Sequence, residues 1–455
     1  MVLCNGISES FLETSQVIRT LGSGSYGSVS LRQHESGILT AVKVQTYGHQ
    51  EKGILQSALI EVDTLVRLKP LSNVVQIIGT CIFPNLNKLA IILEPMDYSL
   101  RDFIHTNPIE IRLQWLYNLI NDYMITSAIL EKLNINHFDI NAANILIKWV
   151  NGKPIFKLSD FGLSRSSFQG NVSSREIVTV PYRSPEILTK RRRSEFPESV
   201  IDVWSFGVTL FEYLTGTFPY IEYTVPSAIL NEMSVWTNIP NFSQLAQAGL
   251  LHGSFPAVEI MKSVYGINLP LPYEEFIRRL FKLNPNERPK PTDLVPHIPS
   301  EYIQLLQPAK YSRKIGSQTL FIFRNAKITD SYIVLVMAIE IVTRYYGLIK
   351  DIPFNEYNVL AAATHIASTY VSDRPISLQD AGKKYGLRGK KVTEYIENEE
   401  QQILWKLGFL VYNSSLTNSL NLLYFKFHGN NAEIVRYLNS LSSIYFLNDV
   451  SLWFN

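Results

Sequence analysis

From Ser15 to Val44 apolar and polar positions alternate with period two, broken by a run holding Gly22, Gly24 and Gly27. That period predicts antiparallel strands with a glycine-rich turn between them. After Leu55 the period lengthens to that of a helix carrying Leu59, Leu65 and Leu68, with Glu61 among them. Leu89 to Leu93 is unbroken apolar sequence and reads as a buried strand, and Asn118 to Leu133 as a helix. Residues 220–272, rich in proline and aromatic residues, read as an elaborated helical insert, and residues 285–299 are proline-dense. Further on, Tyr332 to Val342 and Val359 to Ser368 are apolar nearly all round, as centrally buried helices are. The pattern is that of an α+β chain in two parts. Residues 12–300 form a first domain, with a sheet-rich lobe to about 96 and a helical lobe from about 97; 301–316 form a basic, polar linker, and 317–455 an all-α domain.

Composition narrows the class. At 455 residues, 46% hydrophobic and 18% charged, the chain is expected to fold as more than one soluble domain. No apolar run reaches the roughly twenty residues a membrane span needs, so no membrane role is expected. Met1 to Gly6 lacks the look of a signal peptide. Two cysteines, Cys4 and Cys81, argue against a disulfide framework and for a reducing, intracellular setting, cytoplasmic or nuclear. A net charge of +2 does not call for a nucleic-acid partner. Lys190 to Arg193 is a local basic run, readable as a nuclear-import or acidic-partner patch or as a solvated loop.

The chemistry lies in the order of four motifs. They are Gly22-Ser23-Gly24-Ser25-Tyr26-Gly27-Ser28-Val29, Ala41-Val42-Lys43, His137-Phe138-Asp139-Ile140-Asn141-Ala142-Ala143-Asn144 and Asp160-Phe161-Gly162. A glycine loop alone marks an ordinary hairpin as readily as a phosphate cradle, and a lone Asp-Phe-Gly can cap a turn. Together they supply what phosphoryl transfer requires: backbone N–H groups and a cation for the phosphates, ligands for metal ions, and a carboxylate for the acceptor hydroxyl.

The set resembles the protein kinases. The resemblance implies a bilobal fold using ATP and Mg2+. Leu21, Gly22, Ser23, Gly24, Gly27, Val29 and Ala41 would line the nucleotide, with Leu93, Glu94 and Met96 at the hinge. Lys43 would hold the phosphates and pair with Glu61, chosen over Glu51 by its spacing. Asp139 would be the catalytic base, Asn141 a neighbour of the γ-phosphate, and Asn144 and Asp160 the metal ligands. Thr179 to Glu186 resembles the substrate-binding end of the activation segment, Asp202 to Gly207 the helix that anchors the catalytic loop, and Arg288 the structural partner of Glu186.

Within the kinases the chain is most similar to the cyclin-dependent group, whose regulatory helix reads Pro-Ser-Thr-Ala-Ile-Arg-Glu where this chain has Leu55 to Glu61. Tyr26, Ser174 and Thr179 fall where that group is regulated. Three features depart from the pattern. The arginine before the catalytic aspartate is Phe138 and the helix arginine is Ile60, so Arg165 alone remains of three phosphate-binding arginines, and activation is expected not to require phosphorylation of Ser174. The lysine two residues after Asp139 is Asn141, which weakens the serine/threonine assignment against tyrosine. The insert at 220–272 has no counterpart signature.

The C-terminal helices resemble a cyclin box, with Val359 to Tyr370 as the central helix and Val392 to Leu407 as the last long one. Glu400 matches the glutamate with which cyclins meet their kinase; the lysine position is Thr369, and Leu59 is a candidate for the same interface. A generic helical tail, or a DNA-binding cyclin fold using Lys383-Lys384 and Lys390-Lys391, are the other readings. The implied protein is a serine/threonine kinase acting on protein substrates with its activator in cis, similar in organisation to kinase–cyclin fusions of large DNA viruses. Its rival is a pseudokinase scaffold.

Overall fold

The computed structural model describes residues 3–5, 12, 14–24, 27–46, 56–83, 88–166, 177–295, 299, 332–348, 355–372, 375–389, 391–409 and 411. The alternating N-terminal sequence forms strands β1 (Leu3–Asn5), β2 (Gln16–Gly24), β3 (Gly27–Gln33) and β4 (Leu39–Thr46). Helix α1 (Gln56–Arg67) follows, then β5 (Ile77–Phe83) and β6 (Lys88–Leu93). These strands make one six-stranded antiparallel sheet in the order β1-β5-β6-β4-β3-β2. Helix α1 buries Leu59 and Leu65, and Leu68 just past its end, as its sequence predicts, and every residue from Ala58 to Leu65 is buried with them.

In the register of β1 against β5, Cys4 stands opposite Cys81. Cys81 is disulfide-bonded and Cys4 is the chain's one other cysteine. A bridge therefore stands here where the cysteine count argued against a disulfide framework. Residues far apart in sequence become direct cross-strand neighbours, within the reach a disulfide needs.

The second lobe begins with β7 (Tyr98–Ser99), α2 (Leu100–Thr106) and the long α3 (Ile109–Lys132), which starts nine residues before the predicted Asn118. Strands β8 (Ile135–Asn136), β9 (Ile145–Val150), β10 (Lys153–Leu158) and β11 (Arg165–Ser166) frame the loops that carry the motifs. Helices α4 (Pro185–Leu188) and α5 (Ser199–Thr215) complete the centre of the lobe. Helix α5 is buried from Val200 to Leu214: its sequence is mostly apolar, and its buried Asp202 is satisfied by backbone N–H groups. Gly207 lets Phe281 lie close against it: a Cβ there would come within 3.2 Å of that ring. The insert is helical as predicted, with α6 (Pro226–Thr237), α7 (Phe242–Ala248) and α8 (Ala257–Tyr265), and α9 (Leu271–Leu280) follows it.

Four helices are described beyond residue 331: α10 (Tyr332–Leu348), α11 (Glu356–Val371), α12 (Leu378–Lys384) and α13 (Val392–Lys406). Helix α11 is buried from Val359 to Val371 and packs against α10, α12 and α13, with Ala361, Ala362 and Ala363 allowing close approach. It also packs on α1, while α13 lies against β1. The linker 301–316 and the stretches 416–425 and 430–455 lie outside the described residues.

Candidate active site

The register of the sheet assembles the first part of the site. Val29 of β3 stands opposite Gly22 of β2 on one side and Lys43 of β4 on the other. Gly27 has φ 143°, and a Cβ there would sit 1.9 Å from the Val44 carbonyl oxygen, so only glycine fits. A Cβ on Gly22 would meet nothing within 4 Å, and Leu21 beside it is exposed. Ser23 and Gly24 complete β2, whereas Tyr26 lies outside the described residues.

Lys43 joins three elements. Its Nζ donates to both Glu61 oxygens at 2.8 Å and to Asp160 Oδ1 at 2.9 Å. Gln45 Nε2 donates to Glu61 Oε2 at 3.0 Å, a support that no sequence motif signals. Burial alone would pull the Lys43 ammonium down; Glu61 and Asp160 more than offset it and hold the ammonium above its ordinary value. Asp160 is held below the usual carboxylate range because Lys43 outweighs the burial that would raise it. Its backbone is left-handed, φ 58°, and its side chain is 47% exposed.

At the hinge, Ala41 and Leu93 are register partners, as are Ile77 and Leu93. The Glu94 N–H donates to the Gln76 carbonyl oxygen at 2.9 Å, and the Glu94 carboxylate accepts from Gln76 N at 2.8 Å and Lys157 Nζ at 2.7 Å. Glu94 therefore braces the hinge from behind. Met96, half-buried, follows outside any helix or strand.

The catalytic loop hangs from α5. Asp202 is buried and accepts the backbone N–H of His137 at 2.7 Å and of Phe138 at 2.9 Å. The His137 ring meets Phe161 edge-on at 4.7 Å, linking this loop to Asp160-Phe161-Gly162. Asp139 accepts from Asn144 Nδ2 at 2.8 Å on one oxygen and from the Thr179 hydroxyl at 2.6 Å on the other. Asn141 turns inward: its amide donates to the Asp139 carbonyl oxygen at 3.0 Å, its Oδ1 accepts from Ala143 N at 2.9 Å, and it is buried. The amide that sequence places beside the γ-phosphate is thus tied up in shaping its own loop.

Arg165 is engaged as well, donating to the Ser164 carbonyl oxygen at 2.8 Å and to Gln56 Oε1 at 3.3 Å. Ser174 lies outside the described residues. Glu186 and Arg288 form a buried bidentate pair at 2.7 and 3.2 Å. The basic run does not behave as one patch. Arg191 pairs with Glu195 at 3.0 Å, and Arg193 is buried against Phe138 and Glu198, leaving Lys190 and Arg192 exposed.

Where α11 meets α1, the buried carboxylate of Asp63 accepts the Tyr370 hydroxyl at 2.8 Å and the Val411 N–H at 2.7 Å. Arg344 of α10 donates to the Val411 carbonyl oxygen at 2.6 Å, and Gln56 Nε2 to the Ser372 carbonyl oxygen at 3.1 Å. Leu59 is buried in the core, Thr369 is buried on α11, and Glu400 pairs with His365 of α11 at 3.3 Å. Sequence reasoning missed Asp63, Tyr370 and Val411, which carry no motif.

The Protein kinase domain family model matches residues 15–298. Among curated proteins, the chain is 30% identical over 211 residues to a "Probable cyclin-dependent serine/threonine-protein kinase" of Dictyostelium discoideum, covering 46% of this chain and 14% of the relative. It is 31% identical over 218 residues to a MAP kinase kinase of Caenorhabditis elegans, covering 46% and 57%. It is 30% identical over 207 residues to a serine/threonine-protein kinase of Arabidopsis thaliana, covering 45% and 34%. In each case the chain spans less than two thirds of the relative's length.

Proposed function

The chain belongs to the protein kinases, the family whose model spans residues 15–298, and on that premise we propose that it transfers the γ-phosphate of ATP to serine or threonine hydroxyls of protein substrates. The observation that carries this reading is the contact of Lys43 Nζ with Glu61 and Asp160 at once. It supports the reading because it joins the strand of Lys43, the helix of Glu61 and the loop of Asp160, the three parts that phosphoryl transfer needs together.

In this reading Lys43 holds the donor phosphates, kept cationic and aimed by Glu61, which Gln45 steadies. The glycine loop offers backbone N–H groups over the phosphates, with no Cβ at Gly22 to intervene. Asp139 orients the acceptor hydroxyl and takes its proton. Asp160 and Asn144 would hold Mg2+, and their oxygens suit it. Among the described residues no cluster of three or more His, Cys, Asp or Glu is placed to cage a metal, and two protein ligands are what Mg2+ takes when phosphates and water complete its shell. Bound there, Mg2+ would neutralise charge developing on the transferred group.

The bond from the Thr179 hydroxyl to Asp139 and the names of two relatives support serine/threonine specificity. For the C-terminal helices we propose the role of a cyclin-like activator acting in cis. The support is Asp63 and Gln56, both on the helix that carries Glu61 and both bonded to the C-terminal part. Covalent attachment lets modest contacts suffice, because the effective concentration of a tethered partner is near millimolar. An intracellular setting, cytoplasmic or nuclear, belongs to this reading because the nucleotide donor is there.

The test is transfer of labelled phosphate from magnesium ATP to a basic protein, comparing the whole chain, Asp139→Asn and a chain cut near Glu301. The reading expects transfer by the whole chain alone, with label on serine or threonine. Label on tyrosine would overturn the specificity, and undiminished transfer by the cut chain the activator role. A scaffold that binds without transferring is the second reading, favoured by the inward turn of Asn141 where the resemblance expects a lysine. Absence of transfer by the whole chain would favour it.

A further inference from the structure

Arg193, in the chain between α4 and α5, belongs to none of the motifs. Its guanidinium lies 4.5 Å from the centroid of the Phe138 ring and is paired with Glu198. Phe138 stands where related kinases carry an arginine, is fully buried, and has a left-handed backbone with φ 61°. A bulky residue keeps that conformation only where its surroundings enforce it. Asp202 holds its N–H, and its carbonyl oxygen accepts from Val178 N at 2.8 Å. Val178 is itself left-handed, φ 60°, and its carbonyl oxygen accepts from Arg183 Nε at 2.8 Å. The other Glu198 oxygen accepts from Asn136 Nδ2 at 3.3 Å. Ring, cation and carboxylate therefore meet where the chain enters the catalytic loop and where the activation segment returns to it.

A phosphate on an activation segment works by drawing guanidinium groups to itself. Here Phe138 and Ile60 bring no charge, and Arg165 already serves Ser164 and Gln56. We propose that Arg193 is a positioning residue that locks the catalytic loop to the returning activation segment through the Phe138 ring, so that the order a phosphate would impose is built into the fold. A buried cation facing a ring on one side and a carboxylate on the other is attracted to both without phosphate. The kinetic part of this inference rests on the phosphotransfer reading; the structural part does not.

The test uses the full chain after phosphatase treatment, as wild type, Arg193→Met, Arg193→Lys, Phe138→Leu and the Arg193→Met/Phe138→Leu double variant. Two things are read: kcat and KM for magnesium ATP and a basic protein, and hydrogen exchange of the Val178 and Thr179 amides, which bond to Phe138 and Asp139. Wild type is expected to keep its rate after phosphatase. Arg193→Met should lose at least about tenfold in kcat with the KM for ATP within about twofold, and its two amides should exchange at least about tenfold faster. Lysine should recover part of both effects, and the double variant should be no worse than the worse single one. The inference is overturned if Arg193→Met leaves both readouts within about twofold of wild type. It is equally overturned if the losses multiply in the double variant or if phosphatase abolishes the wild-type rate. If wild type transfers no phosphate at all, the phosphotransfer reading falls and exchange alone decides the inference. Should Arg193→Met fail to fold, Phe138→Leu takes its place: unchanged exchange there overturns the inference.

Discussion

Tyr370 of α11 donates its hydroxyl to Asp63 of α1 at 2.8 Å, a buried bond between residues 307 positions apart. Asp63 is two residues from Glu61 and so points to the other side of the helix that aims Lys43. The carboxylate facing the C-terminal helices and the carboxylate facing Lys43 thus share one rigid element.

Replacing Asp63 with alanine should remove its bonds to the Val411 N–H and the Tyr370 hydroxyl and its pairing with Arg67 at 3.6 Å, and cost about 1–3 kcal/mol. Tyr370→Phe should cost less, since Val411 still bonds Asp63. Urea unfolding checks both, and a change in Asp63→Ala too small to resolve would show that the interface contributes little.

Lys43→Met should leave Glu61 and Asp160 as buried or half-buried carboxylates without their shared cation. The expected loss in transfer rate is about 10²–10³-fold, the scale for removing one preorganised charge from a reacting centre. Single-turnover transfer with saturating magnesium ATP measures it; a loss below about tenfold would mean that Lys43 does not act on the transferred group.

Arg288→Met breaks the buried pair with Glu186 and also removes a cation stacked 5.0 Å from the Trp204 ring. It should destabilise the fold by about 3–5 kcal/mol, because the remaining charge is left buried alone. The expected sign is a lower Tm. A Tm equal to wild type would show that the pair is dispensable.

Asp122 on α3 accepts the Phe156 N–H at 3.0 Å, and burial pushes its carboxyl up to about 6 from an ordinary 3.8. Between those values the folded state therefore holds a proton that the unfolded state has lost. Stability from this group is greatest at low pH and declines as pH rises from about 4 to about 6, by at most roughly 1.4 kcal/mol for each step of one in pH. Asp122→Asn keeps an acceptor for Phe156 and should remove that decline. Denaturant midpoints across the window check this; equal slopes in both proteins would assign the decline elsewhere.

The glycine loop, Lys43 and Asp139 to Asn144 were legible in sequence as a candidate site because each motif is local, with its members at fixed offsets along one strand or turn. Glu61 was legible too, since helical spacing and its distance from the strand carrying Lys43 leave few choices. Asn141 was readable as a departure, but the bonds that turn it inward depend on loop geometry. The basic run was misleading for a similar reason. Four consecutive cations look alike in sequence, yet packing buries Arg193, half-buries Arg191 and exposes Lys190 and Arg192.

What the sequence determined by itself was the strands from Ser15 to Val44, the buried helices and the candidate site motifs, since hydrophobic period and motif spacing act over a few residues. The tertiary structure alone decided which distant residues meet: Cys4 opposite Cys81, Arg193 over Phe138, and Tyr370 and Val411 on Asp63. Those pairings follow from how whole elements stack. Their energies come from burial and from hydrogen bonds completed only after packing, and no local pattern in the chain encodes them.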